Sequence, residues 1–261
     1  MAIGLIIIGD EILSGKRTDK HFSKMLELLT ARGLQLDWTE IIGDDPKRIT
    51  ATLQRTFASG DIVFCCGGIG ATPDDHTRQC AASALGVDLV LHPEAKKLIQ
   101  RRITETAQAA GLNVDLTTPD HQHRLKMGEF PAGADIIPNA YNLIPGFSHS
   151  GHYFVPGFPV MAEPMMTWVL DTCYTHLFHQ HQREEKSVLV FEIAESLLTP
   201  MMEQLETDFP LIKVFSLPSV GNHQIRRHIE LGVKGVPEQV DAAFVLLQTE
   251  LDRINAEYVA V

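Results

Sequence analysis

Short apolar runs alternate with amphipathic stretches along the first two thirds of the chain. Residues 3–8 are almost all apolar and mostly β-branched, which is typical of a strand buried on both faces of a parallel sheet. Residues 18–33 have helical spacing, with Thr18 or Asp19 able to cap the start and Gly33 the end. The predicted inward positions of this helix are Phe22, Met25, Leu26 and Leu29.

The same β-loop-α unit recurs along the chain. The predicted elements are a strand over 36–42, a helix over 44–60, a strand over 61–66, a helix over 77–85, a strand over 87–92 and a helix over 93–111. Pro46 falls in a first turn and Gly86 at a helix end. The inward positions of helix 44–60 are Ile49, Leu53 and Phe57. Such alternation implies right-handed crossovers and an α/β fold with a doubly wound, mostly parallel sheet.

The pattern changes in the last third of the chain. Apolar segments 142–147 and 152–158 predict a hairpin, and a helix follows over 159–177. The polar run 179–186 is the expected linker. Residues 188–261 then show the order β-α-β-β-α-β of a small α+β, ferredoxin-like domain. The predicted domains are therefore 1–178 and 187–261, the second with a structural or dimer-forming role.

Composition narrows the class of protein. The 261 residues, 44% of them hydrophobic, allow one large domain or two modest ones. With 33 acids against 22 bases the formal charge is -11, which argues against a general nucleic-acid binder.

Asp10 and Glu11 end the first apolar run, so we predict neither a signal peptide nor a membrane span and expect a cytoplasmic protein. The four cysteines lack CxxC spacing and are expected to be buried free thiols.

Three glycine-containing and acidic segments follow predicted strands. They are GDEILSG at 9–15, IGDDP at 42–46 and GGIGATPDD at 67–75. Open parallel sheets bind ligands at the carboxyl ends of their strands, so these segments are expected to meet. Gly67, Gly68 and Gly70 would let backbone N–H groups approach a phosphate. Ser14 and Thr72 could bind a ligand or make ordinary turn hydrogen bonds.

The aspartates of these segments suggest a divalent metal, because two carboxylates at one helix start would repel a bare phosphate. Magnesium, cobalt or manganese, held by Asp74 or Asp75 and by Asp44 or Asp45, could bind a pyrophosphate and activate water. The alternative is that Asp74 or Asp75 caps helix 77–85, and both roles can coexist.

Familiar nucleotide motifs do not match this chain. GDEILSGKR lacks the spacing of a P-loop, and GGIGATP misses the dinucleotide pattern GxGxxG. His176, His179 and His181 are interpreted as solvated side chains at a helix end rather than as a metal site. His76 could contact a phosphate or simply occupy the first turn of a helix.

The segments GDEILSG, GDDPKRI, GGIGATPDDHT and VPGFP resemble, in that order, the molybdopterin-binding (MoaB/Mog-like) domain of the CinA family. The resemblance spans roughly residues 1–175, and the small α+β segment resembles the middle domain of CinA-type proteins. It implies a pocket that accepts molybdopterin, as in the enzymes that adenylylate or handle that cofactor. In the CinA branch it implies a metal-dependent pyrophosphatase that converts ADP-ribose into AMP and ribose 5-phosphate.

Carried over residue by residue, the resemblance makes Asp44 in GDDP and Asp75 in TPDD the catalytic and metal-binding carboxylates. The family's ligand loop matches Gly68, Gly70, Thr72 and Asp74. The full set of candidate ligand-binding residues is Glu11, Ser14, Gly15, Gly67, Gly68, Gly70, Thr72, Asp74, Thr77, Pro156 and Gly157.

The sequence departs from the family pattern in two ways. Ala71 replaces the proline of the common GGxGPT form, and full-length CinA proteins continue into a nicotinamide-mononucleotide deamidase domain where this chain ends at Val261. The resemblance therefore implies a stand-alone form without deamidation, and a homo-oligomer, with a dimer expected. Two alternatives to hydrolysis stay open, a binding module that recognises a pterin or nucleotide without turnover and a molybdopterin adenylyltransferase. The GDEILSG segment and the second domain favour the CinA branch.

Overall fold

The computed structural model describes residues 1–180, 184–222 and 225–261. The chain divides into two units, Met1–Phe178 and His179–Val261. The division falls where the sequence places the end of the first domain. None of the helices in the described ranges combines the length and the apolar character that crossing a bilayer requires.

The first unit alternates strands and helices as the hydrophobic pattern predicts. Its elements are β1 (Ile3–Ile8), α1 (Asp10–Leu13), α2 (His21–Thr30), β2 (Trp38–Ile42), α3 (Pro46–Phe57), β3 (Ile62–Cys66), α4 (Thr77–Leu85), β4 (Leu89–Leu91), α5 (Pro93–Ala109), α6 (Pro119–Leu125), β5 (Glu129–Pro131), β6 (Asp135–Ile137), β7 (Gly146–His149), β8 (His152–Val155) and α7 (Pro159–Cys173). Short 3-10 turns cover Lys126–Gly128 and Thr175–Leu177. The pattern did not predict α1, α6, β5 or β6, which are all shorter than eight residues.

Six strands form a mixed sheet in the order β2-β1-β3-β8-β7-β6. The first four are parallel neighbours, and β8 and β7 form the predicted antiparallel hairpin. The expectation that 87–92 continues the parallel series is wrong, because β4 pairs with β5 in a separate two-stranded sheet. This strand has three residues and none of them is fully buried, whereas a central parallel strand is covered on both faces.

Two hydrophobic cores lie on opposite faces of the sheet, which makes the fold doubly wound. Successive side chains of a strand point to opposite faces. Leu5 and Ile7 of β1 therefore join the core beneath α2 and α7, whereas Ile6 and Ile8 join the core beneath α3 and α4.

The predicted inward face of α2 is confirmed at Met25 and Leu29 and wrong at Phe22 and Leu26, which are 40% and 38% exposed. His21, which was not predicted, is buried instead. Residues three or four apart share a helical face, so positions 21, 25 and 29 fit the periodicity as well as the predicted set does, and packing against α7 distinguishes them. Phe57 is likewise half-buried at the end of α3.

The cysteines are free thiols, as expected. Cys65, Cys66 and Cys80 are buried, but the prediction is wrong for Cys173, which is exposed at the end of α7.

The described part of the second unit follows the predicted order of elements. It contains β9 (Glu184–Phe191), α8 (Glu195–Asp208), β10 (Ile212–Ser219), β11 (His228–Gly235), α9 (Pro237–Arg253) and β12 (Tyr258–Ala260). The strands pair antiparallel in the order β10-β11-β9-β12 around an apolar core. The predicted end of the linker 179–186 is wrong. Residues 184–186 belong to β9, where they pair with β11. Residues 181–183 of that linker lie outside the described residues.

His152 at the start of β8 is a fully buried polar residue of the first unit. Its ring centroid lies 4.1 Å from that of Phe57, and its Nε2 atom lies 2.9 Å from the Thr56 hydroxyl oxygen. Burial lowers the pKa of His152 from 6.5 to about 4. The ring is therefore neutral in the folded protein at neutral pH.

Acidification is expected to destabilise the first unit through His152. Between pH 6.5 and about 4 the unfolded chain binds a proton here that the folded chain does not, so the free energy of unfolding falls as the pH falls. The loss is on the order of 2 to 3 kcal/mol. Urea unfolding followed by tryptophan fluorescence measures it selectively, because both tryptophans, Trp38 and Trp168, lie in this unit.

The matched control is His152→Phe, which keeps an aromatic ring beside Phe57 but does not titrate. We expect its stability to depend less on pH over the same range. An equally steep loss in both proteins would show that His152 is not the responsible group.

Candidate functional site

The exits of β2, β1, β3 and β8 lie along one edge of the sheet, because these strands are parallel neighbours in that order. The exit segments are 43–45, 9–15, 67–76 and 156–157. This edge is where open α/β sheets bind ligands. The structure thus brings together the segments that contain the residues predicted from sequence.

Asp10 and Asp44 join the first two exits by a reciprocal pair of hydrogen bonds. The Asp10 N–H donates to Asp44 Oδ2 at 2.8 Å, and the Asp44 N–H donates to Asp10 Oδ1 at 3.2 Å. A Cβ atom at Gly43 would lie 2.3 Å from Asp10 Oδ1, so this close pairing requires glycine there. In the sequence, Asp10 is marked only as the end of an apolar run, so its pairing with Asp44 was not predicted.

The structure separates the roles of Asp44 and Asp45, which the motif left open. Asp45 caps α3, since its carboxylate accepts the Arg48 N–H at 2.7 Å. Asp44 is half-buried at the strand exit. Burial raises the pKa of Asp44, and the negative charges of Asp10, Glu11 and Asp74 raise it further. Acids from two other exit segments therefore act on this carboxylate.

Gly67 lies in close contact with both neighbouring strands. Its φ is 111°, and an added Cβ atom would lie 2.2 Å from the Ile8 carbonyl oxygen. Its N–H donates to the Val155 carbonyl at 3.0 Å. On the β8 side, the half-buried Pro156 precedes Gly157, where an added Cβ atom would lie 3.3 Å from Gly67 Cα. Glycine at 67 therefore allows three exits to meet.

Thr77 lies beneath the loop rather than on its surface. It is fully buried, its hydroxyl donates to the Gly67 carbonyl at 3.0 Å, and its N–H donates to the Gly68 carbonyl at 3.0 Å. Gly68 has φ 68°, and an added Cβ atom would lie 2.2 Å from the Thr77 hydroxyl oxygen. Thr77 was predicted to bind the ligand, but in the structure it bonds the backbone of the glycine loop from the buried side.

Asp75 turns back onto its own loop. Its Oδ2 accepts the Thr72 N–H at 2.9 Å and also the Thr72 hydroxyl. The prediction that Asp74 or Asp75 caps α4 is wrong, because the residue at the capping position is His76 and no side chain caps this end. Asp74 and Thr72 are exposed. The structure pairs Asp75 with Thr72, and Asp44 with Asp10, rather than pairing the two predicted catalytic carboxylates with each other.

The remaining candidates lie around the first exit and within the glycine loop. The Glu11 carboxylate lies over Gly9, where an added Cβ atom would be 2.6 Å from Glu11 Oε2. Ser14 and Gly15 are exposed just beyond α1, and Gly15 has φ 71°. Gly70 lies beside the Asp75 carboxylate, since a Cβ atom added at Gly70 would be 2.5 Å from Oδ2.

Arg78 holds the inner side of the glycine loop and was not predicted. It is 2% exposed, and its guanidinium donates to the Ile69 carbonyl at 3.1 Å and to the Gly70 carbonyl at 2.6 Å. It also donates to the carbonyls of Lys126 and Glu129, beyond α6. Burial lowers the pKa of Arg78. No sequence signal marks this role, because the acceptors are backbone atoms brought close only by folding.

A second unpredicted contact reaches the loop from α6. The exposed His123 places Nε2 2.8 Å from the Ala71 carbonyl oxygen. The segment between α5 and β5 therefore supports the loop from its outer side, at the position where this chain departs from the common family motif.

The oxygen donors at this edge suit a hard divalent cation. Asp10 and Asp44 each direct one carboxylate oxygen to the other's N–H. Burial and, after it, the neighbouring negative charges raise the pKa of Asp44, and a cation would offset the part that comes from charge. Across residues 1–180, 184–222 and 225–261, no three His, Cys, Asp or Glu side chains form a group that could hold a metal by itself. Of the histidines near 176–181, His181 lies outside the described residues.

Comparison with known proteins places the first unit in a family. Residues 4–176 match the family described as “Probable molybdopterin binding domain”. A CinA-like protein of Anaeromyxobacter sp. (strain K) is 30% identical over 175 residues, which cover 65% of this chain and 40% of that protein. A CinA-like protein of Syntrophotalea carbinolica is 30% identical over 215 residues, 80% of this chain and 48% of that protein. The chain thus spans less than half the length of either relative.

The crystal structure of a CinA protein of unknown function from Thermoplasma acidophilum has the same fold. It is similar with a TM-score of 0.55 at 24% sequence identity, covering 66% of this chain and 98% of that chain. The fold and its strand-exit site define an α/β protein of the molybdopterin-binding-domain class. The chain belongs to the probable molybdopterin binding domain family and is similar to its CinA-like members.

The close packing of Gly68 generates a test with a matched control. Gly68 and Gly86 have almost the same φ, 68° and 69°, but a Cβ atom clashes only at Gly68. We expect Gly86→Ala to cost about 1 kcal/mol from backbone strain alone. Gly68→Ala should cost a further 1 to 3 kcal/mol, roughly, because it overpacks against Thr77. Urea unfolding followed by tryptophan fluorescence measures both, and equal losses would contradict the packing of the loop on α4.

Proposed function

We propose that this protein binds a phosphorylated ligand at the four strand exits and, with a divalent metal, hydrolyses the pyrophosphate of ADP-ribose or a related nucleotide to AMP and ribose 5-phosphate. The observation that carries the proposal is Asp44, a half-buried carboxylate whose pKa is raised beside Asp10, Glu11 and Asp74. Such negative charge next to a glycine loop suits a metal-bound pyrophosphate better than a bare anion.

Asp44 and Asp10 are the residues that would hold the metal, with Asp75 as the further ligand predicted from sequence. Magnesium commonly takes one or two protein carboxylates and completes its coordination with substrate phosphates and water, and cobalt or manganese could take the same oxygen donors. When bound, the metal would neutralise the pyrophosphate and supply an activated water.

The chain's own residues supply position and electrostatic stabilisation. The N–H groups of loop 67–76 would favour the phosphate oxygens, apart from those of Gly67, Thr72 and Asp75, which already donate within the protein. Thr77 and Arg78 hold this loop from beneath, and the bond to Asp75 fixes the orientation of Thr72. These contacts order the loop before the ligand arrives, which lowers the entropic cost of reaching a reactive arrangement.

The alternative is a molybdopterin-binding protein that either does not catalyse a reaction or transfers an adenylyl group. The family description supports this alternative, because it names a molybdopterin-binding domain. The same glycine loop could hold the phosphate of a pterin. The acidic group around Asp44 favours the hydrolytic interpretation.

We also infer how the whole protein is organised. The described β-α-β-β-α-β order and antiparallel sheet support a ferredoxin-like second unit with a structural or dimer-forming role. A homodimer in the cytoplasm, without a nucleic-acid or membrane partner, is the assembly we propose.

The first assay is AMP release from ADP-ribose by metal-stripped protein, with and without added magnesium, cobalt or manganese. We expect AMP release that depends on the metal. Asp44→Asn should lower its rate about 100-fold, which is the size of loss seen when a residue that supports a bound metal is removed. The acid side of the pH–rate profile should lie above the ordinary range of an aspartate, because Asp44 must be ionised to bind metal and its pKa is raised.

Asp45→Asn is the matched control, since Asp45 caps α3 and does not take part in the proposed chemistry. It should keep its activity, and Asp75→Asn tests the second predicted ligand. A folded wild-type protein that releases no AMP with any metal would overturn hydrolysis of this substrate. Direct ligand titration would then test the alternative.

A further inference from the structure

His21, the first residue of α2, is buried and uses only one side of its ring. It is 5% exposed, and its Nδ1 atom lies 2.8 Å from Asp19 Oδ1. Its Nε2 atom is also buried and has no hydrogen-bond partner in the described part of the chain. A buried polar atom without a partner costs free energy, and in native proteins it commonly marks a bound water, an ion or a functional role.

Asp19 determines which ring nitrogen carries the proton. Its carboxylate accepts the N–H groups of His21 and Phe22 at 3.0 Å and 2.9 Å. Burial raises the pKa of Asp19, but these bonds and the His21 ring lower it on balance. An ionised carboxylate can only accept, so Nδ1 of His21 carries a proton and donates, and in this tautomer Nε2 is the acceptor of the ring.

The Asp19–His21 pair lies at the edge of the sheet where the strands end and where we propose that the ligand binds. Helix α2 begins directly after the β1 exit segment and packs on the face of the sheet that includes Cys66. Burial raises the pKa of the Cys66 thiol, and the charge of Asp19 raises it further, so Asp19 lies near the end of β3. Gly67 and the rest of the ligand loop follow Cys66 directly.

We propose that His21 Nε2 is a ligand-contacting atom, which accepts a hydrogen bond from a hydroxyl or N–H group of the molecule bound by loop 67–76. This inference rests on the proposed function and adds a non-phosphate contact to it. The glycine loop would hold phosphate oxygens, whereas His21, oriented by Asp19, would recognise the part of the ligand that carries hydrogen-bond donors. Binding then supplies the partner that the free protein lacks.

The proposal predicts a loss of affinity that a structural role would not cause. His21→Phe keeps an aromatic ring but removes the Nδ1 bond to Asp19 together with the unpaired Nε2, so a lower urea midpoint is expected whatever Nε2 does. Its affinity for ADP-ribose, measured by titration calorimetry on the full chain with metal present, should fall about tenfold. A merely structural histidine would show a loss of stability without a loss of affinity.

Two further variants separate the ring nitrogens. His21→Gln is long enough to place an amide atom near the position of Nε2 and should recover part of the affinity. His21→Asn reaches only the position of Nδ1, so it can still bond Asp19 but should bind as weakly as His21→Phe. Equal affinity of the wild type and His21→Phe would overturn the inference while leaving the proposed function intact, and a buried water would then be the partner of Nε2.

The wild type distinguishes this failure from failure of the proposed function. If the wild type itself does not bind ADP-ribose, the proposed function fails for this ligand, and with it the inference that His21 contacts it. If the wild type binds and His21→Asn, which can still bond Asp19, binds ADP-ribose as tightly as the wild type, the inference is wrong. Weaker binding by His21→Asn at an unchanged urea midpoint supports it.

Discussion

The burial of β1 between β2 and β3, with a helical layer on each face, is the constraint on which the rest of the first unit depends. All six residues of β1 are buried, and its side chains alternate between the two cores. This arrangement fixes where the strand ends, and the neighbouring parallel strands end at the same edge. Gly67 can then contact the Ile8 carbonyl, since it has no Cβ atom. The site is therefore a consequence of how the central strand packs.

The same edge brings negatively charged carboxylates close together, and backbone N–H groups stabilise them there. Asp10 and Asp44 repel each other as carboxylates, yet each accepts an N–H group from the other's main chain. Hydrogen bonds of this kind stabilise ionised carboxylates, while burial and neighbouring acids oppose ionisation. At Asp44 the opposing effects prevail, as its raised pKa shows. The negative charge at this edge is the feature on which the proposed binding of a cation rests.

Three buried polar side chains of the first unit differ in whether all of their polar atoms have hydrogen-bond partners. Arg78 donates to four backbone carbonyls and joins the loop to the segment beyond α6. His152 has a partner for each ring nitrogen and contributes to a packed core. His21 has a partner for one nitrogen only. Arg78 and His152, whose polar atoms have hydrogen-bond partners, stabilise the fold. His21, which has a partner for one nitrogen only, lies at the edge where a ligand would bind.

The sequence by itself determined the alternation of elements, the bounds of β1 and the position of the glycine loop. These features are local, because periodicity, capping residues and glycine depend on neighbours within a few positions. Tertiary structure alone decided that His21 rather than Phe22 and Leu26 is buried on α2, and where β4 pairs. It also decided the contacts that Arg78 makes beyond α6 and that Asp10 makes with Asp44, which come from residues far apart in the chain, and the burial of His21. Such contacts leave no pattern in the sequence, because they depend on backbone atoms that every residue possesses and on distances that exist only after folding.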